Sequence, residues 1–467
     1  MSELVTVSNR VALPSQLQGA QGGLAVGLRA ALEESGGLWF GWSGGIDERA
    51  DPARAPRVQE AHGVRYATLR LTRDEYERYY MGYANQVLWP LFHYRMSFVH
   101  CTDARIEGYW EVNRLFAEHL LPLLQGDEAV WVHDYHFIPM GALLRQRGLT
   151  APIGFFLHTP FPPWDVMRAL PDHQRLLRAL CAYDLVGFQT GFDRDNFLDC
   201  ITHMEGGAVR DGEWAVVDGE TARAGVFPIG IDVDTVAREA RRGFNSQQGR
   251  RLQQSLQQRR LIIGVDRLDY SKGLRNRFEA YETLLERHSD YRRSVVFLQI
   301  APISRGDVAE YEEIRHHLEY MAGHINGRFA EYDWVPLRYL NKGFHRSNVL
   351  GFLARSDVGL VTPMRDGMNL VAKEFVAAQN PDDPGVLVLS TLAGAARELE
   401  AAVLVNPYNV DEIVHGLDRA LAMPLDERRE RWQAMVKALR ENDIHRWRTT
   451  FLEALHDAHG RPAPEAA

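Results

Sequence analysis

The sequence predicts an α/β fold built on parallel sheets and divided between two domains. Short apolar runs recur at residues 129–132, 153–157, 185–188, 261–265, 295–300, 358–361 and 386–389, separated by segments of helical periodicity. That alternation is the signature of strand–helix–strand units. Polar residues follow several of these runs directly, at the carboxyl ends where parallel sheets bind their ligands. A chain of 467 residues also exceeds what one core ordinarily holds.

Taken in order, residues 5–8 read as a buried strand, followed by Asn9, Arg10 and a loop ending in Gly22 and Gly23. A helix is expected over residues 24–32. A glycine pair between strand and helix lets backbone approach a ligand closely. Arg10, at the strand exit, reads equally as an anion binder or as a solvated charge. Residues 76–94 concentrate Tyr76, Tyr79, Tyr80, Tyr83, Trp89, Phe92 and Tyr94. Core packing accounts for most of them, but so many hydroxyl-bearing rings also suit a carbohydrate pocket, because sugars present both C–H faces and hydroxyls. The 129–132 strand leads into His133, Asp134, Tyr135 and His136. Two histidines three apart suggest a metal, yet no further ligand cluster accompanies them, so Asp134 is read as a strand-end group for a substrate hydroxyl. The 153–157 strand ends at His158, before a turn stiffened by Pro160, Pro162 and Pro163.

Residues 227–232 read as the hinge into the second domain, and residues 246–260 as an exposed polar helix. After the 261–265 strand come Arg267 and Lys272, five apart around a strand-to-loop transition. A planar guanidinium fork and a point charge placed so can converge on one diphosphate. Residues 356–379 form a strand, a loop through Asp366 and Gly367, and a helix from Asn369 with an apolar face. Asn369 is an expected N-cap, and a helix N-terminus there is a natural seat for phosphate. Glu374 lies on the flank below those amides and could accept from a ribose diol. On pattern alone, however, Lys373 and Glu374 read first as ordinary solvated charges on an amphipathic helix. Residues 411–459 are expected to be helical, with Trp432 and Trp447 on apolar faces. The Asp193/Asp195 and Asp232/Asp234 triplets resemble metal-binding D-x-D motifs, but one falls in an apparent helix and the other at the hinge.

A hydrophobic content of 45% and a charged content of 25% fit a globular enzyme. The net charge of −9 and the lack of a basic run argue against a nucleic-acid partner. An anionic substrate would need a local cluster of arginine and lysine working against that field. Cys101, Cys181 and Cys200 are odd in number and lack metal-ligand spacing, so reduced thiols and a cytoplasmic setting are expected. The first strand follows the amino terminus directly, so no signal peptide is expected. No apolar run is long enough to span a membrane, and no membrane partner is expected.

The run Asp366, Gly367, Met368, Asn369, Leu370, Val371, Ala372, Lys373, Glu374 resembles the donor-binding loop of the retaining trehalose-6-phosphate synthases of glycosyltransferase family 20. The resemblance extends over nearly the whole chain, through VSNR at Val7, GGLAVGL at Gly22, WFGWSG at Trp39, VLWPLFHYR at Val87, HDYH at His133, FFLH at Phe155, RLDYSKGL at Arg267 and APISRGDV at Ala301. It implies the GT-B fold: two Rossmann-like domains, residues 1–230 and 231–440, with parallel sheets facing an interdomain cleft. A C-terminal helix over 441–467 would cross back to the first domain.

By this resemblance Gly22, Gly23, Arg267, Lys272, Phe344 and residues Asp366 to Glu374 would hold the nucleotide sugar, with Asp366 on donor glucose hydroxyls. Arg10, Tyr80, Asp134 and Arg305 would hold glucose 6-phosphate, and Trp89 and His158 would shape the sugar sites. Arg267, Lys272, His158 and Asp366 are the expected catalytic set. The implied reaction moves glucose from a nucleoside-diphosphate glucose, UDP-glucose first, to glucose 6-phosphate, giving α,α-trehalose 6-phosphate. The sequence does not separate UDP-, GDP- and ADP-glucose. No metal or other cofactor is expected, and a homo-oligomer is left open. Other readings are a related sugar-phosphate transferase (a glucosylglycerol-phosphate synthase or pseudo-glycosyltransferase), a non-catalytic sugar-phosphate-binding regulator, or a phosphorylase with a Schiff-base cofactor.

Overall fold

The computed structural model describes residues 3–13, 28, 32, 36–49, 51, 54–126, 128–303 and 309–461. They form two compact units. One holds the described residues up to Pro228 and those from Trp447 onward; the other runs Ile229–Arg446.

The first unit is built on β1 (Leu4–Arg10), β2 (Gly37–Asp47), β3 (Arg57–Ala61), β4 (Val64–Thr72), β5 (Ala129–His133), β6 (Ile153–Phe156), β7 (Leu185–Phe188), β8 (Ala208–Arg210), β9 (Trp214–Val217) and β10 (Glu220–Val226). Among the described residues they make one sheet in the order β3-β4-β2-β1-β5-β6-β7-β10-β9-β8. The strands from β4 to β10 in that order pair in parallel. β3, β9 and β8 extend the two edges as antiparallel hairpins. Sequence reasoning passed over β2 to β4 and β8 to β10. β2 carries four glycines, which reads as loop. The hairpins did carry a signal: His62 with Gly63 and Asp218 with Gly219 fill two-residue turns, each residue at positive φ. That backbone matches the twist of paired strands, and Asp-Gly is its usual sequence.

β5 to β7 are buried along their whole length because a layer covers each face. Part of that cover is the Ile444–Ala458 helix. Its Phe451 ring stacks on Trp131 at 4.6 Å, and Trp447 lies 4.7 Å from the same indole. The close approach requires glycine beneath it. A Cβ on Gly154 or Gly187 would stand 2.9 or 2.7 Å from the Phe451 ring. Phe451→Ala should empty this seat and cost about 3–5 kcal/mol. Urea unfolding followed by tryptophan fluorescence checks this, and a loss under about 1 kcal/mol would show that the ring contributes little.

The second unit carries β11 (Arg260–Val265), β12 (Val295–Ile300), β13 (Leu337–Leu340), β14 (Val358–Val361), β15 (Val386–Ser390) and β16 (Val403–Val405). All pairings are parallel, in the order β13-β12-β11-β14-β15-β16. In each sheet the chain fills one side and then crosses to the other. The reversal falls between β1 and β5 in the first unit and between β11 and β14 in the second. Loops leaving the carboxyl ends of such a strand pair diverge and open a crevice for ligand.

Candidate active site

At the reversal of the second unit, β11 hands the chain to Asp266 and an exposed Arg267, and then to the tight turn Tyr270–Lys272. Gly273 follows at φ +67, and a Cβ there would meet the Thr362 carbonyl at 2.3 Å. Only glycine lets the Lys272 turn lie so close to the end of β14. The Met364 N–H seals the approach by donating to the Ser271 carbonyl at 2.7 Å.

Beneath this contact sits Arg277, with no exposed surface. Its guanidinium donates to Asp266 Oδ2 at 2.5 Å, to Thr362 Oγ1 at 2.9 Å and to the Lys272 carbonyl at 3.0 Å. One buried cation thus ties together the two segments that bound the crevice. Burial outweighs the attraction of Arg277 and leaves the Asp266 carboxyl above its usual range. Sequence reading missed Arg277, because an arginine in the first turns of a helix reads as a surface charge.

Above it, Lys272 Nζ meets Asp366 Oδ2 at 2.5 Å, with about an eighth of each side chain exposed at 12% and 14%. Asn369 Nδ2 donates to the same carboxylate oxygen at 3.0 Å. Asn369 also caps the Leu370–Ala378 helix as expected, its Oδ1 accepting from the Ala372 N–H at 3.2 Å, with φ +74. The loop is fixed from behind. Gly394 N–H donates to the Asp366 carbonyl, Ala395 N–H donates to the Met368 carbonyl, and a Cβ on Gly394 would clash with the Gly367 carbonyl at 1.9 Å. Lys272, Asp366 and the first turn of a helix therefore converge on one rigid rim. Phe344 belongs to the same unit, packed edge-on to Phe352, with Lys342 over its ring.

The expectation that Lys373 and Glu374 are solvated charges is overturned. Lys373 has no exposed surface; its ammonium donates to Glu398 at 2.5 Å and to the Ile229 carbonyl at 2.7 Å. It points into the unit and offers a ligand only its backbone. Burial lowers its pKa against the pull of Glu398. Glu374 has 12% of its side chain exposed, and Oε1 accepts from Arg346 at 2.7 Å. Burial raises its pKa and Arg346 opposes the rise. A helix that packs one face on a sheet and another on neighbouring helices leaves no side fully in water.

At the reversal of the first unit, Arg10 is the exposed last residue of β1. Its guanidinium lies 5.0 Å over the Trp42 ring, in space that Gly44 leaves open. Tyr80 packs against the same indole at 5.3 Å and against His136 at 5.9 Å. It comes from a wide-turned π-helix, Tyr76–Leu88, opened by a Thr72/Glu75 capping box. π-Helical turns concentrate at functional sites. Asp134 follows β5 at φ +72, strained for an aspartate, and its Oδ1 accepts from the His158 N–H at 3.2 Å. The His158 ring nitrogens face His133 Nδ1 at 3.1 Å and Gln189 Nε2 at 3.5 Å. Burial pushes its pKa down to about 3, so the ring is neutral and engaged on both sides. Trp89 is buried against His93 and Tyr135, as a core residue of this wall. Trp42 was quoted within a motif but given no role by sequence reading. Gly22, Gly23, Arg305 and most of the helix expected over 24–32 lie outside the described residues.

Among the described residues no three His, Cys, Asp or Glu side chains converge as a metal site. The D-x-D triplets have structural duties: Asp193 accepts from the Phe161 N–H and from Thr190, and Asp232 caps the Val233–Phe244 helix. No helix among the described residues is long and apolar enough to cross a membrane.

The Glycosyltransferase family 20 model matches residues 4–457. The chain belongs to glycosyltransferase family 20. Its GT-B architecture is shared with solved members. A trehalose-6-phosphate synthase of Klebsiella pneumoniae is 50% identical over 460 residues, covering 97% of this chain and 95% of that one. An α,α-trehalose-phosphate synthase (UDP-forming) from Burkholderia xenovorans, solved in complex with glucose-6-phosphate, superposes with a TM-score of 0.94 at 48% identity. It covers 97% of this chain and 100% of its own. A structure from E. coli bound with UDP-2-fluoro glucose gives a TM-score of 0.93 at 45% identity, covering 99% and 100%.

Proposed function

We propose that this chain transfers glucose from UDP-glucose to glucose 6-phosphate, with retention at the donor anomeric carbon, giving α,α-trehalose 6-phosphate and UDP. The observation that carries the reading is the Lys272–Asp366–Asn369 cluster at the strand reversal of a family 20 chain. Relatives bound to glucose-6-phosphate and to UDP-2-fluoro glucose supply the two substrate classes.

On this reading Arg267 and Lys272 take the diphosphate. An ammonium has three donors; Asp366 holds one and leaves two for phosphate oxygens. Asp366 also orients the donor sugar, and the backbone from Gly367 to Lys373 lines its nucleotide with Phe344, Gly22 and Gly23. Glu374 accepts from the ribose diol through Oε2, which makes no hydrogen bond among the described residues. Arg10, Tyr80, Asp134 and Arg305 take glucose 6-phosphate. Trp89 and His158 shape the sugar sites; a neutral imidazole engaged at both nitrogens suits that role better than proton transfer.

Among the described residues we assign no pair of carboxylates as nucleophile and acid, as in retaining glycosidases. A front-face route fits better: the glycosidic C–O bond to the diphosphate breaks ahead of attack, and the departing diphosphate oxygen accepts the acceptor hydroxyl proton. Its barrier falls with positive charge on the leaving group, which Arg267, Lys272 and the Asn369-capped helix supply. That cluster does the work of a cation, so we expect turnover without metal. The free thiols of Cys101, Cys181 and Cys200 suit a cytoplasmic setting.

The test is to offer UDP-, GDP- and ADP-glucose with glucose 6-phosphate, before and after exhaustive chelation, and to identify the product by NMR. Trehalose 6-phosphate with the α,α linkage, formed fastest from UDP-glucose and unaffected by chelation, is expected. No product from any donor would overturn the function. A collapse restored by Mg²⁺ or Mn²⁺ would overturn metal independence alone.

A further inference from the structure

One carboxylate of the second unit is held in a way that its own helix does not explain. The Val233–Phe244 and Arg346–Leu353 helices touch backbone to backbone: a Cβ on Gly243 would stand 1.8 Å from the Ser347 carbonyl, and one on Gly351 would stand 2.2 Å from Gly243 C. This contact brings Glu239, one turn before Gly243, alongside Arg346, the first residue of the second helix. Arg346 then bridges two acids. It donates to Glu239 Oε2 at 2.6 Å and to Glu374 Oε1 at 2.7 Å, with 18% of its side chain exposed.

The bridge has a directional consequence. An unrestrained glutamate on a helix flank samples several rotamers and presents its oxygens in any order. Here the guanidinium fixes Oε1, so the position of Oε2 follows from the carboxylate plane. Glu239 in turn keeps the guanidinium from swinging toward the ligand side. The three side chains carry one net negative charge, which favours neutral hydroxyl donors over phosphate at this point. Phosphate is instead served by Lys272 and Arg267.

We propose that Arg346 is a positioning residue for ribose recognition: by pinning Oε1 of Glu374 it aims Oε2 at the vicinal hydroxyls, and so lets the enzyme discriminate ribonucleotide sugars from their 2′-deoxy counterparts. This rests on the assignment of Glu374 to the ribose diol made above. In this proposal Arg346 acts through Glu374 and not on the substrate itself. It also offsets the burial that would otherwise favour the protonated acid, which has one oxygen fewer to accept with.

The experiment compares UDP-glucose with 2′-deoxy-UDP-glucose as donors for the wild type, Glu374→Gln, Arg346→Met and Arg346→Lys, with circular dichroism and Tm recorded for each. The wild type should prefer the ribo donor by about 10- to 100-fold in kcat/KM, the value of the one charge-assisted hydrogen bond that the 2′-hydroxyl makes. Arg346→Met should cut that preference to within about threefold of Glu374→Gln, chiefly by raising KM for the ribo donor, with kcat little changed. Arg346→Lys, which restores charge without the planar fork, should recover part of the preference and stands in should the methionine variant not fold. If Glu374→Gln abolishes the preference while folded Arg346 variants keep it in full, Arg346 has no positioning role and only this proposal falls. Should Glu374→Gln leave the preference intact, the ribose assignment itself is wrong and the proposal falls with it. A loss of both donors in equal proportion would mark Arg346 as structural and also overturn it.

Discussion

Lys272→Ala is expected to lower kcat by about 30- to 1,000-fold, the loss of one charge-assisted contact of about 2–4 kcal/mol to a leaving group whose charge grows in the transition state. The geometry adds a second part to this expectation. Lys272 and Asn369 both bond Asp366 Oδ2, so removing the ammonium would leave a carboxylate, with 14% of its side chain exposed, beside the proposed diphosphate site. On that reading the like charge opposes donor binding, so KM for UDP-glucose should rise as kcat falls. Lys272→Ala/Asp366→Asn removes the repulsion, and its donor KM should return part of the way while kcat stays low. Steady-state kinetics on the pair decide it. Unchanged turnover in Lys272→Ala would remove the assignment, and a double variant with the same KM as the single would show that Asp366 does not face the diphosphate.

Arg277→Met should cost about 3–5 kcal/mol of stability, because it strands Asp266 as an unpaired buried charge. Asp266 and Arg277 have 2% and no side-chain exposure, so water cannot replace the lost partner. The Lys272 carbonyl and Thr362 Oγ1 lose their donor in the same step. Asp266→Asn/Arg277→Met, in which neither charge remains, should recover part of the loss. Urea unfolding of both variants separates the terms. A single variant within about 1 kcal/mol of wild type would show that the buried pair contributes little, and a double variant less stable than the single would show that Asp266 is not the stranded group.

The strands that sequence reading found are those buried on both faces. β5, β6, β7, β11, β12, β14 and β15 are short continuous apolar runs, and no other local pattern competes with that signal. β2, β3, β4, β8, β9 and β10 were passed over because glycine, charge and partial exposure break the run. For β3 with β4 and β9 with β10, the turn residues were the better guide. The loop at Asp366 was legible for a different reason. Asp366, Gly367 and Asn369 have no core to fill, so their presence between a strand and a helix points to chemistry rather than packing.

The fate of each charge was not legible. Lys373 and Glu374 are neighbours on one helix, and local pattern gives both the same solvated surface. The structure buries both and gives them different partners, Glu398 from a following loop and Arg346 from a preceding helix. Arg277 and Arg275 lie two apart in one helical turn, yet Arg275 pairs in the open with Glu279 while Arg277 is sealed beneath the crevice. By itself the sequence determined the α/β class, the parallel character of the sheets, the strand-end positions of Arg10, Asp134, Arg267 and Lys272, and the cap at Asn369. These depend on periodicity and on residues a few positions apart. Only the tertiary structure decided which charges meet, because an ion pair is made by strands and helices that are adjacent in space and distant in the chain. The Lys272–Asp366 contact spans 94 residues, and it forms because the sheet reverses direction between β11 and β14.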